Sequence, residues 1–243
     1  MADLRKYYIK LTFVYYVLWV ILFLAVGWYA NELPIFDFTL KIDDAIPVIP
    51  QFVWFYLLCF IFPFLLLFIT RNWHRYNIAL LSVTFCTIIA FIVHLLFPVT
   101  FIKPALNSGF SEQVLAFIYR HDFNPGAENL PSLHVSFAMI VYFASRHQNL
   151  KKTIEVLILM ISILIILSTL FVKQHLFVDV MAGILLTALV WYGIQLFYQK
   201  YVIHESDPVK TLKTAIKELR LIFVLSGGVL ITIVLLKLLF TSF

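Results

Sequence analysis

His175 and Asp179 stand four residues apart in the run STLFVKQHLFVDVMAG, residues 168–183. On a helix that spacing puts both on one face, so the carboxylate can hold the imidazole by one ring nitrogen and leave the other free to attack. A histidine oriented by an acid is the arrangement of a nucleophile or base, here one able to form a phospho-histidine intermediate. A second run, ENLPSLHVSF at 128–137, supplies His134, which can give a proton to a leaving oxygen. Lys103, Ser132 and Lys173 add cationic and hydrogen-bonding groups that stabilise a phosphoryl group in transfer. Ser168 and Asn129 are further candidates for phosphate contact. A serine in an apolar helix has the alternative of bonding back to its own backbone, and a polar residue in a loop is ordinary background.

The elements that must position these residues are membrane helices. The chain of 243 residues is 63% hydrophobic and 13% charged, against about half and a quarter in a soluble domain. Apolar runs of the ~20 residues needed to cross a bilayer fall at about 11–30, 52–70, 77–97, 153–172, 176–198 and 221–240, with a shorter candidate at about 131–147. Counting the short one, the expected architecture is an all-α polytopic helical bundle of about seven spans in one integral membrane domain covering 1–243. Residues 207–220 have Leu212, Ala215, Ile216 and Leu219 at helical spacing with lysines opposite, which predicts an amphipathic helix along the membrane surface.

Basic residues orient the bundle. With the N-terminus in the cytoplasm, all of the 18 basic residues except Lys41, Lys103, Arg120, Lys173 and Lys237 fall on the cytoplasmic side, as the positive-inside rule requires. The net charge of +5 is therefore read as topology, with no nucleic-acid partner implied. The first run is read as a retained anchor because no small-residue cleavage site follows it. This topology brings 96–106, 128–137 and 168–183 to the same, extracytoplasmic face, although none of their histidines, serines, asparagines or carboxylates was used to derive it. Ionisable groups at a bilayer edge are costly and mark function.

At these residues the chain resembles the type 2 phosphatidic acid phosphatase superfamily, membrane enzymes acting on lipid phosphates. The family's Pro-Ser-any-His signature is intact at Pro131, Ser132, Leu133 and His134. Its third signature matches at Ser168, His175 and Asp179, with Thr169 in place of arginine, and the first is reduced to Lys103-Pro104, with Leu96 where a lysine would stand. The resemblance covers roughly 52–198 and implies a six-helix core plus one additional span. It implies His175 as nucleophile, His134 as acid, Asp179 as orienting group, and a lipid phosphate substrate, without cofactor or metal. Lysine cannot clamp a phosphate bidentately as arginine does, and fewer fixed charges suit a less charged phosphate. The third signature also looks like the inositol phosphorylceramide synthase branch, which moves a phosphodiester headgroup to an acceptor lipid. Lys173 has the alternative role of compensating for the missing arginine.

Blander alternatives stay open. Cys59 and Cys86, in apolar runs, read as packing residues. His94 reads first as an interhelical hydrogen-bond partner, and Asp122 and Asn124 as ordinary loop polarity. Pro63 is expected to kink the second span, and Ser226-Gly227-Gly228 to form a small-residue packing face. A transporter using the His-Asp pair as a proton relay would leave the Pro-Ser-any-His spacing unexplained.

Overall fold

The computed structural model describes residues 2–100, 103–122, 129–146, 148–202 and 206–241. Among them the only regular structure is helical. Ten α-helices follow in order: α1 Ala2–Ala30, α2 Lys41–Ala45, α3 Val53–Leu58, α4 Leu65–Ile69, α5 Trp73–Leu96, α6 Phe110–His121, α7 Leu133–Ser145, α8 Lys152–Phe171, α9 Phe177–Phe197 and α10 Pro208–Thr241. Among the described residues five helical stretches are long and apolar enough to cross a membrane, and α10 adds a sixth if its two halves count as one span. The chain is thus a polytopic membrane bundle.

The break in the second span and the start of α5 have causes in the sequence. The second span is broken: α3 gives way to a turn and a 3-10 stretch, Phe62–Phe64, before α4 resumes. Pro63 sits in that stretch, where it lacks the N–H that a continuous helix needs. Helix α5 starts at Asn72, whose side chain accepts from the backbone N–H groups of His74 and Arg75, the usual use of asparagine as an N-cap. Helix α10 bends by 51° between Pro208–Arg220 and Val224–Leu235. In its first half Leu212, Ala215 and Leu219 are buried while Ile216 is exposed, so most of that amphipathic face packs on the bundle. The connection between α5 and α7 carries α6, a helix that the apolar-run reading leaves as loop.

Helix α7 is central, packed on α5, α8 and α9. At 13 residues it is about 20 Å long at 1.5 Å per residue, well short of a ~30 Å hydrocarbon core. Helices α1 and α5 run parallel, stitched by polar pairs that ascend together. Tyr8 donates to Asn77 at 2.7 Å, the Thr12 and Tyr76 hydroxyls lie 2.6 Å apart, Thr84 donates to Tyr15 at 3.3 Å, and Trp19 donates to Thr87 at 3.1 Å. Asn77 also donates to the Pro208 carbonyl. Residues 8, 77 and 208 therefore share one end of the bundle.

At that end arginines serve as helix caps. Arg5 donates to the carbonyls of Leu67 and Phe68, and Arg75 to that of Phe143, which satisfies orphan carbonyls at the C-terminal turns of α4 and α7. Gln148 accepts from the backbone of Arg71 and Asn72, tying two connectors together. The predicted catalytic residues lie at the opposite end.

Candidate active site

The loop between α8 and α9 sets the position of His175. Helix α8 ends in two hydrogen bonds that wind the chain back: Gln174 N–H to the Thr169 carbonyl at 3.0 Å and Lys173 N–H to the Leu170 carbonyl at 3.1 Å. This is a Schellman closure. Its left-handed position is taken by Lys173, with φ of 49°, where glycine is the usual residue and any other costs about 1 kcal/mol. The His175 N–H also bonds the Thr169 carbonyl. Thr169, standing where the family signature has arginine, therefore contributes its backbone to this turn, while its hydroxyl bonds back to Ile166 at 2.7 Å.

Helix α9 is capped from two directions. The fully buried Asp179 accepts from the Leu176 N–H at 2.8 Å, and Asp43, from α2, accepts from the Phe177 N–H at 2.7 Å. Two carboxylates at one helix N-terminus complement its dipole. Asp43 also accepts from Leu40 N–H with its second oxygen. Its backbone carbonyl receives the Lys173 ammonium at 2.6 Å, so the lysine fastens α2 to the active-site loop. Burial lowers the Lys173 pKa, and the charges of Asp43 and Asp44 act in the other direction.

Asp179, His175 and His134 then form a line. Nδ1 of His175 lies 3.5 Å from a carboxylate oxygen of Asp179, and its Nε2 lies 3.2 Å from Nδ1 of His134. His134 comes from the first turn of α7, whose N-cap is Ser132. The Ser132 side chain accepts from Val135 N–H at 3.4 Å, and its own N–H donates to the Asp179 carbonyl at 3.1 Å. This joins the starts of α7 and α9 directly. Gly183 permits the approach: a Cβ there would meet the Ser132 carbonyl at 2.8 Å.

The other sequence candidates are placed as follows. Lys103 reaches the Gln174 side chain at 3.1 Å and the Asp122 carboxylate at 3.6 Å, with the Tyr119 ring beneath its ammonium at 5.3 Å. Asn129 donates to the Val99 carbonyl at 2.9 Å and lines the same cavity as the histidines. Ser168 is fully buried and its hydroxyl bonds back to Ile165 at 2.6 Å. His94 is buried facing the Pro131 carbonyl, with neither ring nitrogen in hydrogen-bond geometry among the described residues. Cys59 and Cys86 are buried and free. Asn124 lies outside the described residues.

Three residues were not legible as site residues. Tyr56 stacks on His134 with centroids 4.6 Å apart and planes at 28°, and Phe60 meets the same ring edge-on at 5.6 Å. In a chain with 25 Phe and 12 Tyr, an aromatic in an apolar run carries no signal. Gln174, next to His175, has its amide nitrogen buried without a hydrogen-bond partner among the described residues. Its adjacency to His175 was the available clue.

Among the described residues, buried atoms without a hydrogen-bond partner gather here: His134 Nε2, Gln174 Nε2 and Asp179 Oδ1, while His175 Nδ1 has only its 3.5 Å ion-pair contact with Asp179. Buried polar atoms left unsatisfied are rare and ask for an explanation, and a polar ligand at this point supplies one. A multi-pass bundle holding two histidines and an aspartate in line is the architecture of a membrane phosphoryl-transfer enzyme. The PAP2 superfamily is matched over residues 46–193, more than half the chain, and the protein belongs to that superfamily of phosphatase-type enzymes. Among curated proteins and among solved structures nothing matches the chain.

Proposed function

We propose that the protein transfers the phosphoryl group of a phosphorylated lipid at the extracytoplasmic face, through a phospho-histidine. The observation that carries this reading is the line from Asp179 through His175 to His134, at 3.5 and 3.2 Å, set in the wall of a largely apolar cavity. With the His175 Nδ1 hydrogen turned to Asp179, Nε2 bears a lone pair, and the hydrogen of the contact between the rings sits on His134. With His134 protonated on both nitrogens, this assignment from the bonding pattern gives His175 the lone pair of a nucleophile and lets His134 donate a proton and become a neutral imidazole.

The phosphate displaces the 3.2 Å contact between the two rings and takes its place. Nε2 of His175 forms the N–P bond as the P–O bond to the lipid breaks, and the His134 proton goes to the departing oxygen. A water then gives a proton to His134 and attacks phosphorus, the N–P bond breaks, and phosphate leaves. Lys103 and Gln174 stand beside His175 to neutralise and bind the phosphoryl oxygens. The bias of basic residues toward the other end of the bundle supports the extracytoplasmic assignment.

A second reading is headgroup transfer, in which the hydroxyl of an acceptor lipid replaces the water. It is favoured by Thr169 and Lys103 standing where the family signatures have arginine. The product decides between them. Purified protein is incubated with a phospholipid, with and without a hydroxylated acceptor lipid. Inorganic phosphate supports hydrolysis, a new phospholipid with release of the donor's alcohol (diacylglycerol for a two-chain donor) supports transfer, and lipid unchanged in both arms, for one-chain and two-chain donors alike, overturns the chemistry.

A further inference from the structure

A cavity of about 490 Å³ runs inward from the two histidines. His134, His175 and Gln174 line one end. At the other lie Thr12 and Tyr76, whose hydroxyls close on each other at 2.6 Å. Between these ends the lining is mainly apolar and aromatic, including Tyr16, Trp19, Phe64 and Phe137. The break in the second span makes room for it, since Phe60, Pro63 and Phe64 all face the cavity.

One wall is α1, which precedes the matched residues 46–193. Its lining residues run from Thr12 to Leu24, about 18 Å at 1.5 Å per residue and more than half of a ~30 Å hydrocarbon core. Leu24 and Phe60 line the cavity and are also 51% and 41% exposed. The cavity therefore reaches the outer surface beside α1 and the turn that follows α3, where a surrounding bilayer would meet it. Taking about 30 Å³ per methylene-sized group, the share of one water in the liquid, the volume holds about sixteen groups. That is one extended chain rather than two.

We propose that this cavity takes a single extended apolar chain of the substrate, with its phosphate at His134 and His175 and its far end at Thr12 and Tyr76, and that α1 limits the chain length accepted. The substrate class is a single-chain lipid phosphate that enters laterally from the bilayer. This rests on the phosphoryl-transfer reading for the position of the headgroup, whereas occupancy by the chain can be measured without turnover.

Two measurements test it. In the first, purified protein in detergent is titrated with a single-chain alkyl phosphate brominated at mid-chain, and tryptophan quenching is followed. Saturable quenching that is largely lost in Trp19→Phe supports the proposal, and quenching that rises without saturation and equally in Trp19→Phe overturns it. In the second, phosphate release from alkyl phosphates of different length is compared with release from a two-chain phosphatidate. Val20→Trp should raise KM for the long chains about tenfold relative to the short ones, and Val83→Phe should act in the same direction if Val20→Trp does not fold. Equal use of one-chain and two-chain substrates, with no change of ratio in either variant, overturns the proposal. Saturable Trp19 quenching without release or transfer of phosphate from any substrate leaves the chain site standing and removes the chemistry.

Discussion

Asp179 does two jobs with one side chain, and a single substitution separates them. An asparagine there still offers an oxygen to the Leu176 N–H, now 2.8 Å from the carboxylate, but has no charge to hold the His175 imidazole in its tautomer. Asp179→Asn should keep the thermal unfolding midpoint close to wild type and lower kcat by roughly 10² or more. A variant that retained wild-type kcat would reduce Asp179 to a helix cap. His175→Ala should abolish turnover with the fold intact, and purified His175→Ala still turning over at the wild-type rate would remove it as nucleophile. The spacing that suggested His175, His134 and Asp179 is local, and the structure does bring the three together, but His175 stands two residues before the start of α9 in the loop and not on a shared helical turn with Asp179. Lys173 shows the opposite. Its ammonium is taken up by the Asp43 carbonyl 130 positions away, a contact no local pattern contains.

Between elements, the junction of α7 and α9 is the tightest constraint on the site. A Cβ at position 183 would come within 2.8 Å of the Ser132 carbonyl and 3.1 Å of the Val135 Cβ, and real Cβ atoms do not approach backbone so closely. Gly183→Ala must move α7 away from α9, at a cost of about 1–3 kcal/mol for overpacking. It should also lower turnover, because His134 rides on the first turn of α7. Thermal unfolding in detergent and product release measure the two effects, and a variant normal in both would mean that the junction yields freely. The docking of α2 is a second constraint. Asp43→Ala removes the cap on Phe177 N–H and should cost about 1 kcal/mol, whereas Asp43→Asn should retain most of that stability. Equal losses in the two variants would show that the charge of Asp43, rather than its hydrogen bonding, holds the loop.

The bundle as a whole makes a topological prediction. Because α1 and α5 are parallel and the Pro208 carbonyl meets Asn77, residue 206 shares an end with the first turns of α1, while residue 37 lies beyond the far end of α1. Both Asp37 and Ser206 are exposed. In a background without Cys59 and Cys86, cysteines placed singly at Asp37 and Ser206 should react with an impermeant maleimide from opposite sides of the membrane. Labelling of both from one side would break the parallel arrangement. The apolar runs announced most of the helices, since about 20 residues of grease has few other uses. They concealed the break in the second span beyond the hint of Pro63, and they left α6 unread because a 12-residue helix within a polar connector lacks that signal.

Membrane character, most of the long helices and the family follow from composition, run length and motif spacing, all of which are properties of neighbouring residues. The tertiary structure decided what depends on distance across the chain. It brought His134 to His175, drew Lys173 to Asp43, set Tyr56 and Gln174 beside the histidines, and used α1 to wall a cavity that the matched residues do not enclose alone. Those outcomes depend on which side chains reach one another after α7 has packed among α5, α8 and α9, and burial leaves each polar group with the partner within its reach.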